Sequence, residues 1–94
     1  MIDLAIAMLL EFPGGTKEQY EKVMGILQLG GKMPKGGIFH VAGPMEGGWR
    51  VVDVWESQEA FDKFLKEKLA NALQQAGVKP PQPRVWPVHN MLHP

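Results

Sequence analysis

The sequence contains no cysteine, so neither a disulfide nor a thiolate metal site can support the small core of this 94-residue chain. An excess of charge of one sign is also missing, because ten basic residues balance ten acidic residues. Binding to nucleic-acid phosphates requires a basic excess, and nucleic acid is therefore not an expected partner. The apolar run at residues 4–10 is far shorter than the about 20 residues that span a bilayer, and no basic segment precedes it. These absences predict a cytoplasmic protein without a membrane partner.

Motifs for nucleotide, metal and nucleophile chemistry are absent as well. The chain has four glycine pairs, but none fits the G-x-G-x-x-G or P-loop pattern, so they are predicted to form turns. The three histidines, His40, His89 and His93, do not have the spacing of metal ligands. We therefore expect no metal site and no cofactor.

The apolar pattern predicts one domain, residues 1–94, that starts with a strand and a helix. The first strand, residues 4–12, is an apolar run that ends at a Pro-Gly-Gly turn. Thr16 and Gln19 fit a capping box and therefore start a helix, which the glycine pair at 30–31 should end.

A hairpin, a second helix and a last strand complete the order. The hairpin strands are predicted at residues 37–44 and 48–55, because a short glycine-containing segment connects them. Ser57 is a suitable N-cap for the second helix, whose apolar residues form one continuous stripe. The last strand, residues 84–90, contains Pro87 and therefore belongs at an edge of the sheet.

This order predicts an α+β protein with the ferredoxin-like βαββαβ fold, in which both helices cover one face of a four-stranded antiparallel sheet. Both faces of the first strand are apolar, since Ile6, Met8 and Leu10 point to one side and Ala7 and Leu9 to the other. Soluble monomers rarely expose an apolar face of that size. We therefore predict a homodimer through the uncovered face. The alternative is that alanine and glycine leave this face only mildly apolar.

Residues 52–61, Val-Asp-Val-Trp-Glu-Ser-Gln-Glu-Ala-Phe, resemble the strand-to-helix segment of the antibiotic-biosynthesis-monooxygenase-like domains of the dimeric α+β barrel superfamily. The turn at residues 13–16 and the Pro-Val-His-Asn segment at 87–90 resemble small uncharacterised members, so the resemblance covers nearly the whole chain. It implies two four-stranded sheets packed face to face, helices outside, and an apolar cleft in each subunit. Phe64 stands where many members have a histidine, which disfavours the haem-degrading subset.

The most informative polar residues are His40 and Asp53. If the hairpin turns tightly at residues 46–47, His40 lies opposite Asp53, with Cβ atoms about 4.5–5.5 Å apart, and Ile38 lies opposite Trp55. The carboxylate would then hold the imidazole in one tautomer and raise its basicity, as a catalytic general base requires. A turn displaced by two residues would instead place His40 opposite Trp55. A His–Asp pair can also serve only the register of the sheet.

Further residues are expected around the same cleft. Val51, Trp55 and Phe64 are predicted to bind substrate, with Trp55 either walling the cleft or filling the core. His89 and Asn90 are candidates to polarise a substrate carbonyl, although both side chains could instead satisfy backbone groups at the chain end.

The other two tryptophans are expected at different places in the fold. Trp49 is expected at the rim of the cleft or in a dimer contact. Trp86 alternates with His89 along the last strand, so only one of these two should face the cleft.

Two functions follow from these expectations. One is a cofactor-independent monooxygenase or cyclase that acts on an aromatic or polyketide-like molecule, with His40 as the base and Asp53 as its orienting partner. The other is a non-catalytic ligand-binding or stress-responsive dimer. A structural interaction module would require the cleft to be filled by the protein's own side chains.

Overall fold

The computed structural model describes residues 5–93, and within them the predicted order of elements is confirmed. The strands are β1 (Ile6–Pro13), β2 (Gly37–Met45), β3 (Gly48–Trp55) and β4 (Arg84–Pro87). The helices are α1 (Lys17–Leu27), α2 (Gln58–Phe64) and α3 (Ala70–Gln75), and a π-helical turn, Leu65–Leu69, joins α2 to α3. The strands pair antiparallel in the order β2-β3-β1-β4, which confirms the ferredoxin-like sheet. The predicted start of the first strand at Leu4 lies outside the described residues.

Helix α1 begins where the sequence predicts and ends earlier. The Thr16 hydroxyl accepts a hydrogen bond from the Gln19 backbone N–H, and the Gln19 side chain accepts one from the Thr16 backbone N–H, so the capping box is confirmed. The prediction that Gly30 and Gly31 end the helix is wrong. Gln28 already adopts a left-handed conformation, with φ of 51°, and its N–H bonds to the Met24 carbonyl, which closes the helix after Leu27.

The second helical segment begins at the predicted N-cap, where the Ser57 hydroxyl accepts a hydrogen bond from the Ala60 N–H. The segment is helical without a break from Gln58 to Gln75, and its apolar side packs against the core as predicted. The wide turn inside it was not predicted: the Ala70 N–H bonds to the Leu65 carbonyl, five residues earlier, so this turn is wider than an α-helical turn.

The hairpin has the predicted register over most of its length. Met45 pairs with Gly48 across a two-residue turn, and His40 pairs with Asp53. The predicted pairing of Ile38 with Trp55 is wrong, because a β-bulge lies between Gly37 and Phe39 and places Gly37 opposite Trp55.

Strand β4 is an edge strand, as Pro87 predicted, but it is shorter than expected. It pairs with β1 and ends at Pro87 instead of continuing to residue 90. Proline has no N–H to donate to the ladder, so regular pairing stops there, although the Val88 N–H still bonds to the Ala5 carbonyl. No helix within residues 5–93 has the length and hydropathy to span a bilayer.

The core lies between the sheet and the helices. Its main cluster of buried residues consists of Met8, Leu10, Val51, Trp55 and Phe61. A second cluster, formed by Val23, Ala72 and Leu73, packs α1 against α3. Helix α1 is therefore held mainly by α3, which leaves space between α1 and the strands beneath it.

The opposite face of the sheet carries exposed apolar side chains. Phe39, Val41 and Trp86 are 56%, 50% and 47% exposed, and each pairs with a residue that points away from the helices. On the same face, Arg84 and Glu11 form an ion pair of 3.3 Å. We refer to this surface, marked by Phe39, Val41 and Trp86, as the open face.

Candidate functional site

A cavity of about 400 Å³ lies between α1 and the sheet. Helices α2 and α3 and the π-helical turn close its other side. The lining is mostly apolar and includes Leu10, Val23, Val51, Phe64 and Leu69. Pockets for small molecules typically have this volume and this mixture of an apolar wall with a few polar groups.

The polar wall of the cavity is built on the hairpin. The His40 Nδ1 atom lies 2.6 Å from Oδ1 of Asp53, and both residues line the cavity. Asp53 is the buried charged residue of the core, only 6% exposed. A buried carboxylate needs hydrogen bonds to offset its lost hydration, and His40 supplies one of them.

Tyr20 extends this pair from the other side of the cavity. Its hydroxyl lies 2.6 Å from Nε2 of His40, and the planes of the two rings are nearly parallel, at an angle of 6°. This contact connects α1 to β2 across the space that separates them. Partial burial raises the pKa of the Tyr20 hydroxyl above the ordinary value of 10.0, and the nearby charges of Glu21 and Asp53 raise it further.

The second oxygen of Asp53 also has a partner. The Trp55 indole Nε1–H donates a hydrogen bond of 3.1 Å to Oδ2, so each carboxylate oxygen accepts from a different ring. Because the carboxylate only accepts, the neutral imidazole of His40 carries its proton on Nδ1, and its Nε2 then accepts from the Tyr20 hydroxyl. The hydrogen bonds therefore run in one direction, from Tyr20 through His40 to Asp53. We call these three residues and Trp55 the relay.

Sequence reasoning did not identify Tyr20. The available signal was weak: Tyr20 is the only tyrosine of the chain and lies one turn after the Thr16 N-cap, on the apolar side of α1. Whether that side faces β2 depends on how far α1 stands from the sheet, which no local pattern determines.

Trp49 lies in the wall of the cavity beside Tyr20, with ring centroids 5.4 Å apart, rather than only at a rim. Its indole N–H is buried and has no hydrogen-bond partner among the described residues. A buried donor without a partner lowers the stability of the folded state by about 1–3 kcal/mol. The Trp55 indole is hydrogen-bonded and carries no such cost.

The π-helical turn shapes the opposite wall. Phe64 and Leu69, which flank it, both line the cavity. In a regular α-helix, residues five apart point about 140° away from each other, whereas a turn closed by a bond to the fifth preceding residue is wider and reduces that angle. The wide turn therefore places both side chains on the cavity side.

The structure brings five of the predicted site residues to one cavity and leaves two elsewhere. His40, Val51, Asp53, Trp55 and Phe64 line the cavity described above.

His89 and Asn90 are exposed and lie at a second, shallower depression, together with Trp86. Ala7 and Val54 also line that depression, which places it on the side of the open face. Neither Trp86 nor His89 lines the main cavity, so the expectation that one of them faces it is wrong. Within residues 5–93, no three histidine or acidic side chains converge as a metal site would require.

Comparison with protein-family models finds no match for this sequence, and comparison with curated proteins finds none either. Solved structures do match. A candidate antibiotic biosynthesis monooxygenase from Chloroflexus aurantiacus superposes with a TM-score of 0.67 at 14% identity, covering 95% of this chain and 97% of that one. SnoaB, a cofactor-independent oxygenase from Streptomyces nogalater, gives a TM-score of 0.64 at 16% identity, with 95% and 97% coverage.

A third match is a conserved protein from Methanosarcina mazei, with a TM-score of 0.63 at 13% identity, covering 88% of this chain and 91% of that one. Identities this low establish the fold and not the activity. The chain has the same fold as these structures, which include a candidate antibiotic biosynthesis monooxygenase and a cofactor-independent oxygenase.

Proposed function

We propose that this protein is a cytoplasmic homodimer that acts on an aromatic, polyketide-like molecule, as a cofactor-independent oxygenase or as a cyclase. One observation carries the proposal. A directional set of hydrogen bonds, Tyr20 to His40 to Asp53, lies in the wall of an apolar cavity of about 400 Å³. Both reaction types begin by removing a proton from an enolisable carbon or a hydroxyl, and the relay can accept one.

The imidazole of His40 is the base in this proposal. When it takes a proton, it becomes an imidazolium next to the Asp53 carboxylate, which stabilises the new positive charge at 2.6 Å. Trp55 holds the other carboxylate oxygen in place. Asp53 is buried, which strengthens its electrostatic interaction with the imidazolium.

The fold of SnoaB supports the oxygenase form of the proposal, since that protein is a cofactor-independent oxygenase. In such a reaction the substrate anion itself supplies the electrons that reduce O₂. For anthrone, a methylene group becomes a carbonyl, one oxygen atom enters the product anthraquinone, and the other leaves as water with the two hydrogens.

The homodimer forms, in this proposal, through the open face. Phe39, Val41 and Trp86 are about half exposed there, and a second copy of the chain would cover them. Two sheets packed in this way would leave the helices and both cavities on the outside.

Turnover of anthrone with dissolved O₂ tests the oxygenase directly. The wild-type protein should form anthraquinone, and His40→Ala and Asp53→Asn should each reduce the rate about 100-fold or more. Met24→Leu is the matched control, because Met24 lines the same cavity and makes no side-chain hydrogen bond there. Equal turnover in the wild type and both relay variants would rule out the assignment of His40 as base.

A non-catalytic ligand-binding protein is the second candidate, and a specific observation favours it. Both nitrogens of His40 are already hydrogen-bonded, so the relay also serves as a structural connection between α1 and the hairpin. This candidate predicts that apolar aromatic molecules raise the melting temperature while no product forms from anthrone or from an enolisable polyketone.

A further inference from the structure

We propose that Tyr20, rather than His40, is the residue that contacts the bound molecule, and that the molecule's proton reaches His40 through the Tyr20 hydroxyl. This inference rests on the proposed function and assigns the contacting residue of the same site. Its basis is that Nδ1 of His40 bonds to Asp53 and Nε2 bonds to Tyr20, each at 2.6 Å. Neither nitrogen has a lone pair left for a ligand.

The direction of the hydrogen bonds determines what Tyr20 offers to a ligand. The Tyr20 hydroxyl donates its proton to Nε2 of His40, so its oxygen can act toward a ligand only as an acceptor, through the lone pair that remains. Tyr20 lines the cavity and is only partly buried, so a bound molecule can reach that oxygen. The complementary ligand group is a hydroxyl that donates, such as a phenol or the enol form of a ketone.

The proton transfer balances within the described residues. The ligand O–H bond breaks and its proton forms a new O–H bond to Tyr20, while the original Tyr20 proton moves to Nε2 of His40. The products are a ligand anion, a neutral Tyr20 and an imidazolium paired with the Asp53 carboxylate. Total charge is unchanged, and no external oxidant or base is required.

Trp49 and Phe64 define where the rest of the ligand would lie. The Trp49 ring is tilted by 36° to that of Tyr20, and Phe64 lies on the opposite wall. A planar ring that donates to Tyr20 would therefore be surrounded by aromatic surface, which favours a fused aromatic phenol over an aliphatic alcohol.

The pair 1-naphthol and 1-methoxynaphthalene tests this assignment, because the two molecules share a ring system and only the first can donate a hydrogen bond. Quenching of tryptophan fluorescence would give the affinities of both molecules for the wild type, Tyr20→Phe and Met24→Leu. The wild type and Met24→Leu should prefer 1-naphthol by about fivefold, as expected for one hydrogen bond. Tyr20→Phe should bind both molecules equally.

A measurement on the wild type avoids dependence on variants that could fold poorly. Tyr20 is the only tyrosine of the chain, so tyrosine labelled with ¹³C at Cζ yields a single resonance. Saturation with 1-naphthol should shift this resonance, and saturation with 1-methoxynaphthalene should shift it much less.

The outcomes separate this inference from the proposed function. A preference for 1-naphthol that persists in Tyr20→Phe while 1-naphthol leaves the Tyr20 resonance of the wild type unshifted would show that Tyr20 is not the contact, and would overturn the inference while leaving the function intact. An unchanged Cζ resonance on 1-naphthol binding would do the same. Failure of the wild type to bind either molecule would overturn both.

In turnover of anthrone, Tyr20→Phe should lower kcat about 100-fold or more and change KM little, because its ring still fills the same space. A purely structural role for the hydroxyl would instead lower stability and leave kcat of the folded fraction unchanged.

Discussion

The Trp55 indole N–H donates to Oδ2 of Asp53, two residues before it on β3, at 3.1 Å. Residues two apart on a strand point to the same face, so this contact follows from local geometry. It leaves Oδ1 for His40 and prevents the carboxylate from rotating. Orientation of the imidazole therefore depends on a tryptophan that makes no hydrogen bond to it.

Trp55→Phe should lower the free energy of unfolding by about 2 kcal/mol more than Trp49→Phe does. Both substitutions remove an indole from the cavity wall. Only the first also removes a hydrogen bond to a buried carboxylate, whereas the second removes a buried donor that has no partner. Urea unfolding of the two variants, compared with the wild type, measures the difference. Equal losses would mean that the indole bond to Asp53 contributes nothing to stability.

The single tyrosine should titrate above its ordinary value. Burial and the charges of Glu21 and Asp53 raise the pKa of Tyr20 above 10.0, so absorbance of the phenolate should appear at higher pH in the folded protein than in the protein unfolded by urea. Asp53→Asn should move the folded midpoint downward, because it removes one of these charges. An identical midpoint in the folded and unfolded states would contradict the geometry around the hydroxyl.

The same shift makes a prediction about stability. Between the unfolded and the folded pKa of Tyr20, the folded state holds a proton that the unfolded state has lost. The contribution of the Tyr20 hydroxyl to the free energy of unfolding is therefore complete below pH 10 and is lost as pH rises through the pKa of Tyr20 in the folded state. The difference in unfolding free energy between the wild type and Tyr20→Phe should shrink across that range. A difference that stays constant with pH would argue against the raised pKa.

Deletion of Lys66 should convert the π-helical turn to an α-helical turn, because such a turn contains one residue more than the regular helix. The fold should be retained, since Lys66 is exposed and the helical residues on either side of it keep the same side toward the core. Phe64 and Leu69 would then be four residues apart in a regular helix and would still point to the same side, so the affinity for 1-methoxynaphthalene should stay close to that of the wild type. A severalfold loss of affinity would show that the wide turn itself is needed to shape the cavity. Lys66→Ala, which keeps the chain length, is the control and should bind as the wild type does.

Val41→Arg should produce a monomer if the proposed dimer forms through the open face. A charged side chain at a half-exposed position would be buried without a partner when two sheets meet. Leu92→Arg is the control, because Leu92 is 85% exposed and lies beyond the last strand. Sedimentation at micromolar concentration should show a monomer for Val41→Arg and a dimer for Leu92→Arg. A monomeric wild type would disprove the proposed assembly.

Features encoded by neighbouring residues were predicted correctly. The Thr16 capping box and the Ser57 N-cap depend on the chemistry of a few consecutive residues. The two-residue turn before Gly48 is one of the turns that the sequence left open, and the structure selects it. The opposition of His40 and Asp53 follows from that turn by counting, because the register of a hairpin is set by its connection.

Features that depend on distance between elements were not predicted. A β-bulge displaces Ile38 from its expected partner, and a wide turn lies within a helix whose apolar spacing looked regular. Pro87 indicated an edge strand but did not reveal that regular pairing would stop there, which leaves His89 and Asn90 away from the cavity.

The sequence by itself determined the order of elements and the helix caps, because each follows from local backbone chemistry, and it made the His40–Asp53 pair one of the registers that the hairpin could adopt. Only the tertiary structure decided that α1 packs on α3 and stands away from the sheet, and that Tyr20 crosses the gap to His40. The physical reason is that the separation of packed layers depends on how all their side chains fit together, which no local pattern records.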